Sequence, residues 1–120
     1  MSIITNIPNS VEFFNCLKNS PGRIIVKFTA EWCGPCNTIK EFVDEHIHRH
    51  LDNPRVQFYI LDIDTNFDVY AFLKTKKMVS GIPAMLCWNQ SNTSYIPDDF
   101  ISGTNKEQIT LFFERCFESL

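Results

Sequence analysis

The chain has 120 residues, of which 44% are apolar and 21% charged, with a net charge of −3. That is one domain's length, enough for a real hydrophobic core, with an ordinary globular composition. It excludes the concentrated basic face of a nucleic-acid binder, and no stretch approaches the ~20 apolar residues of a membrane span.

In chain order, the opening "MSIITNIPNS" has no basic region followed by a long apolar core, so no secretory signal is expected. A cytoplasmic, reducing setting is the expectation, and five cysteines, an odd number, argue against a disulfide framework. A short strand is expected at Ile3 to Thr5. Pro8 to Asn19 reads as a helix capped by Asn9 or Ser10. "RIIVKF" (Arg23 to Phe28) is a near-continuous apolar run, as suits a strand covered on both faces.

Ile39, Phe42, Val43, Ile47 and Leu51 then recur at helical spacing. "VQFYIL" (Val56 to Leu61) is a second buried strand, and Phe67 to Lys77 a helix capped by Thr65 or Asn66. "KTKK" (Lys74, Lys76, Lys77) reads as its solvated end. "AMLCW" (Ala84 to Trp88) is a third strand. The sequons at Asn89 and Asn92 are chance matches that mark a polar turn. A fourth strand lies in "YIPDDFIS", confined to an edge by Pro97 and two aspartates. The last segment, Asn105 to Leu120, carries Ile109, Phe112, Phe113, Cys116, Phe117 and Leu120 on one stripe, and Thr104 and Glu107 have capping-box spacing. Strand–helix alternation predicts parallel βαβ units followed by a hairpin: one α/β domain over residues 1–120, a central mixed sheet with helices on both faces.

The chemistry is concentrated in "AEWCGPC", Ala30 to Cys36. Cys33 falls at a strand end and a helix start, where unpaired N–H groups and the helix dipole favour the thiolate. Pro35 suits the first turn, whose N–H needs no partner. Cys36 follows one turn on, near enough for a disulfide with little backbone movement. This spacing serves thiol–disulfide exchange: one thiolate attacks and its neighbour resolves the mixed disulfide.

At these residues the chain resembles the thioredoxin family. "AEWCGPC" matches the family's active-site motif residue for residue. "GIP" (Gly81, Ile82, Pro83) matches its cis-proline loop, and Gly103 a glycine after the last strand. The likeness runs from about Ile24 to the C-terminus. It implies the thioredoxin fold, with Cys33 attacking and Cys36 resolving. It also implies a cis Ile82–Pro83 bond facing Cys33, and a partner-docking surface of Trp32, Gly34, Pro35, Ile82, Pro83 and Gly103. The implied activity is reduction of disulfides in partner proteins, with no metal or organic cofactor. A thioredoxin-reductase-type donor would recycle a monomeric protein.

Three departures stand out. Lys27 takes the place of the family's buried aspartate, Ile60 that of the lysine often paired with it, and Glu41 that of a helix-kinking proline. Aligned with the aspartate, Lys27 is expected beneath the cysteine pair, with the thiolates as its nearest anions and with an influence on their pKa values. The alternative is a lysine stem threading past the core to solvent.

Other readings compete. A zinc site needs two more ligands, which isolated Cys16, Cys87 and Cys116 do not supply; these read as small core residues, with a regulatory disulfide among them as the minor alternative. His46 and His50 in "HIHRH" read as a solvated helix face. A thioredoxin-fold binding module without redox turnover is the rival function, favoured by loss of the buried acid and opposed by the intact Cys33–Cys36 pair.

Overall fold

The computed structural model describes residues 2–118. Among the described residues four helices, α1 (Ser10–Asn19), α2 (Gly34–His48), α3 (Phe67–Thr75) and α4 (Lys106–Phe117), surround four strands: β1 (Arg23–Thr29), β2 (Val56–Asp62), β3 (Ala84–Trp88) and β4 (Asp99–Ser102). The strand order is β2-β1-β3-β4. β1 and β2 run parallel, as a helical crossover demands, while β3 lies antiparallel to β1 and forms a hairpin with β4. The strand expected at Ile3 to Thr5 contributes a bridge from Ile4 to Tyr59 outside β2.

Side chains alternate across the sheet, so β1 serves two cores. Ile24, Val26 and Phe28 pack with Phe13 and Leu17 of α1 and Val69 and Leu73 of α3. Ile25 points the other way, with Met85 and Cys87, toward α2 and α4. Full burial of such side chains contributes about 1.5–3 kcal/mol each, which is why the apolar runs become central strands. Gly22 is dictated by proximity: a Cβ there would lie 2.0 Å from the Arg55 carbonyl oxygen.

Caps differ in detail from the expected ones. Asn9 caps α1 through the Glu12 N–H, as expected. In α4 the cap is Asn105, accepting from Gln108 N–H, and not Thr104; an Asn one residue on competes successfully for the same role. Asn66 precedes α3 but spends its side chain elsewhere: its Oδ1 accepts from Ile7 N–H at 2.8 Å, and its amide donates to the Thr5 and Asp62 carbonyls. It ties the N-terminal segment to the β2–α3 turn.

α2 is one continuous helix through Glu41. Its far end corrects the reading of the histidines. His46 is buried, stacked on Phe113 at 4.7 Å between ring centres, and His50 stacks on Phe117 at 3.7 Å. An imidazole is flat enough to pack like an aromatic ring, so the α2–α4 seam absorbs both. Burial, then the nearby Arg49 charge, holds both rings below the usual histidine pKa. Leu120, placed on the α4 stripe, lies outside the described residues.

Candidate active site

β1 ends at Thr29, β3 begins at Ala84 and β4 ends at Ser102, and the register aligns Phe28, Ala84 and Ser102 across the sheet. The loops leaving this end carry the candidate residues together. Cys33 is the N-cap of α2, in extended backbone, and its Sγ accepts the Cys36 N–H at 3.2 Å. A sulfur therefore occupies the position where a capping oxygen ordinarily sits, facing the positive end of the helix. The two cysteines are joined as a disulfide across 5.3 Å between Cα atoms. Cys33 is 5% exposed and Cys36 1%. The expected order of accessibility holds, but Cys33 is sunk deeper than a free surface thiol.

Ala30, Ile63 and Ile82 pack against the pair. The Ile82–Pro83 bond is cis, as the resemblance implied. Gly103 sits at φ 93°, a region that favours glycine, and donates its N–H to the Pro83 carbonyl at 3.0 Å. That bond fastens the proline turn to the end of β4. Gly34 and Pro35 are exposed at the start of α2, and Trp32 is 66% exposed beside Cys33. The indole is not loose: Trp32 Nε1 donates to Asp64 Oδ2 at 2.9 Å. Asp64 is a neighbour of the candidate site that sequence reasoning missed. Its one signal is the acidic stretch "DIDTN", which begins at the last residue of β2.

Lys27 lies one row beneath this end, paired with Met85 on one side and Ile60 on the other. It is buried, at 3% exposure, so the solvent-threading alternative fails. Lys27 shares a small cavity with Ile39, Val43, Pro83, Met85 and Ile101. The counter-charge is Asp44 of α2, whose Oδ1 is 3.7 Å from Lys27 Nζ while Oδ2 binds Lys40 Nζ at 2.9 Å. The expectation that the thiolates supply its anion is thus corrected. Cys36, Lys40 and Asp44 recur every four residues, which places them along one edge of α2. Burial pushes the Lys27 pKa down; Asp44 opposes this, and Lys40 adds to it.

Among the described residues no group of three or more His, Cys, Asp or Glu side chains is placed to hold a metal ion. No helix among them is long and apolar enough to cross a membrane.

Fold and site together define an α/β dithiol protein, with its cysteines at a helix start against a cis-proline turn. The thioredoxin family profile matches residues 5–115, and the chain belongs to that family. Thioredoxin 3 of Plasmodium falciparum is 25% identical over 108 residues, covering 89% of this chain and 54% of that protein. A thioredoxin H-type from Fagopyrum esculentum is 38% identical over 71 residues, 59% of each chain. The chain thus spans little more than half the length of these curated relatives. The solved structure of Trichomonas vaginalis thioredoxin superposes with a TM-score of 0.71 at 25% identity, covering 94% of this chain and 96% of that one.

Proposed function

We propose that the protein is a thiol–disulfide oxidoreductase that reduces disulfides in partner proteins through Cys33 and Cys36. The observation that carries the proposal is the Cys33–Cys36 pair itself, closed as a disulfide, with the outer sulfur at the N-cap of α2. In the reduced protein the Cys33 thiolate attacks one sulfur of the partner's disulfide, and the partner's other sulfur leaves as a thiolate. Cys36 then attacks Cys33 Sγ, the mixed disulfide breaks, and the partner departs with both sulfurs reduced. The Cys33–Cys36 disulfide holds the oxidation, and a two-electron donor of the thioredoxin-reductase class returns the dithiol.

Trp32, Gly34, Pro35, Ile82, Pro83 and Gly103 form the docking surface in this reading. Trp32 offers an exposed apolar face fixed by Asp64, and Ile82 offers backbone beside the pair. Lys27 modulates the thiols from below: an ammonium there favours thiolates, where a carboxylate would oppose them. The protein acts as a monomer in the cytoplasm, a setting that suits the free thiols of Cys16, Cys87 and Cys116.

Buried Lys27 in place of an acid is the observation that favours the binding-module reading. Turnover decides between them. With dithiothreitol as electron source, the reductase reading expects catalytic reduction of a disulfide-bonded protein substrate, abolished by Cys33→Ser. Docking of the substrate without any acceleration over dithiothreitol alone would support the binding module.

A further inference from the structure

Two cysteines outside the active site meet. Cys87 lies on the inward face of β3 and Cys116 on the inward face of α4, both in the core between the sheet and the α2–α4 layer. The sequence separates them by 29 residues with no motif, yet the fold brings both side chains into the same buried cluster. Both line a surface cleft of about 280 Å³, together with Arg23, Asp99 and Arg115.

The surroundings hold the two sulfurs in register. Arg115 of α4 binds Asp99 of β4 with both ends of its fork, at 2.8 and 3.0 Å. Asp99 is the cross-strand neighbour of Cys87. The Arg23 guanidinium of β1 donates to the Cys116 carbonyl. These contacts pin the last turn of α4 to the sheet beside Cys116 and Cys87.

We infer that Cys87 and Cys116 form a second redox site, a dithiol that hydrogen peroxide entering the cleft converts to a disulfide clamping α4 onto β3. The two sulfurs have different parts in this step. Cys87 attacks and Cys116 resolves; the neighbouring Cys87 thiol and burial push the Cys116 thiol pKa up. Cys87 Sγ attacks a peroxide oxygen; the O–O bond breaks, and water leaves with the Cys87 proton. Cys116 Sγ then attacks the resulting sulfenic sulfur; the S–O bond breaks, and a second water carries off the Cys116 proton. Both thiols are oxidised, and the peroxide is reduced to water.

The site stands on its own contacts and does not depend on the reductase reading. The test uses the unmodified chain with Cys33–Cys36 already oxidised, so that Cys16, Cys87 and Cys116 are the thiols that react. Hydrogen peroxide is added under native conditions. The sample is quenched with an alkylating reagent, unfolded, digested without reductant and mapped by mass spectrometry. The expected result is a peptide pair joined through Cys87 and Cys116, lighter by two hydrogens and separated again by dithiothreitol. It should form at a rate independent of protein concentration, while Cys16 stays alkylatable. Recovery of Cys87 and Cys116 as thiols, or as sulfinic or sulfonic acids without any linked peptide, would overturn the inference. So would a first-formed bond from either of them to Cys16.

Discussion

Replacing Asp44 with Asn removes the counter-charge of a buried lysine while keeping the side chain's size. At the 3.7 Å separation of Lys27 and Asp44, a pair of unit charges is worth about 4 kcal/mol in a protein-surface dielectric and about 1 kcal/mol in water. Asp44 keeps 24% exposure and is shared with Lys40. Both facts place the loss toward the lower end, at about 1–2 kcal/mol. Urea unfolding at pH 7 of the wild type, Asp44→Asn, Lys27→Met and the double variant measures it. Asp44→Asn should be destabilised by that amount. The double variant should recover much of the loss, because it leaves no buried ammonium unpaired. Equal losses with and without Lys27 would refute the pairing.

The sign of the pH dependence follows from the lowered Lys27 pKa. Between the folded value and the usual 10.5 the unfolded chain binds more protons. The contribution of Lys27 is therefore fully present above 10.5 and is lost as pH falls through the folded value. Asp44→Asn lowers the folded value further and extends the loss toward neutral pH, whereas Lys27→Met abolishes it.

Lys27→Met should also raise the Cys33 thiol pKa by about 0.5–1 unit, read from the pH dependence of its alkylation rate, because a cation is removed and Asp44 loses its buried partner. An unchanged titration with unchanged turnover would make Lys27 a bystander. At the other end of α2, His46 and His50 have folded pKa values held down by burial. Their stabilisation is present above the usual histidine value of 6.5 and lost as pH falls through the folded values. His46→Phe keeps a flat ring on Phe113 and should flatten the acid limb of the thermal melting curve against pH; an identical slope would mean that His46 titrates freely.

Most of this fold was legible because its signals are local and repeat. The strands are continuous apolar runs, α2 carries a stripe, and "AEWCGPC" announces both the strand end and the helix start. The two thiols, the cis bond at Pro83 and the position of Gly103 followed from the motif's resemblance. What escaped notice depends on contacts distant in sequence. Asp44 lies 17 residues from Lys27, and nothing in the spacing says that α2 turns that carboxylate onto β1. Asp64 reaches Trp32 across 32 residues, from a turn that reads only as acidic. The histidines were misjudged because their polarity suggested solvent, whereas α4 presents Phe113 and Phe117 to them. Cys87 and Cys116 read correctly as core residues, but core membership does not reveal which neighbour a side chain meets.

The central claim is the division of labour between Cys33 and Cys36, and trapping tests it most directly. Cys36→Ser leaves the attacking thiol without a resolving partner. After incubation of the reduced variant with a disulfide-bonded protein substrate, nonreducing digestion and mass spectrometry identify the residue that carries the substrate. The account predicts a stable mixed disulfide on Cys33 in Cys36→Ser and none on Cys36 in Cys33→Ser. Trapping on Cys36, or on neither cysteine while substrate still binds, would contradict it.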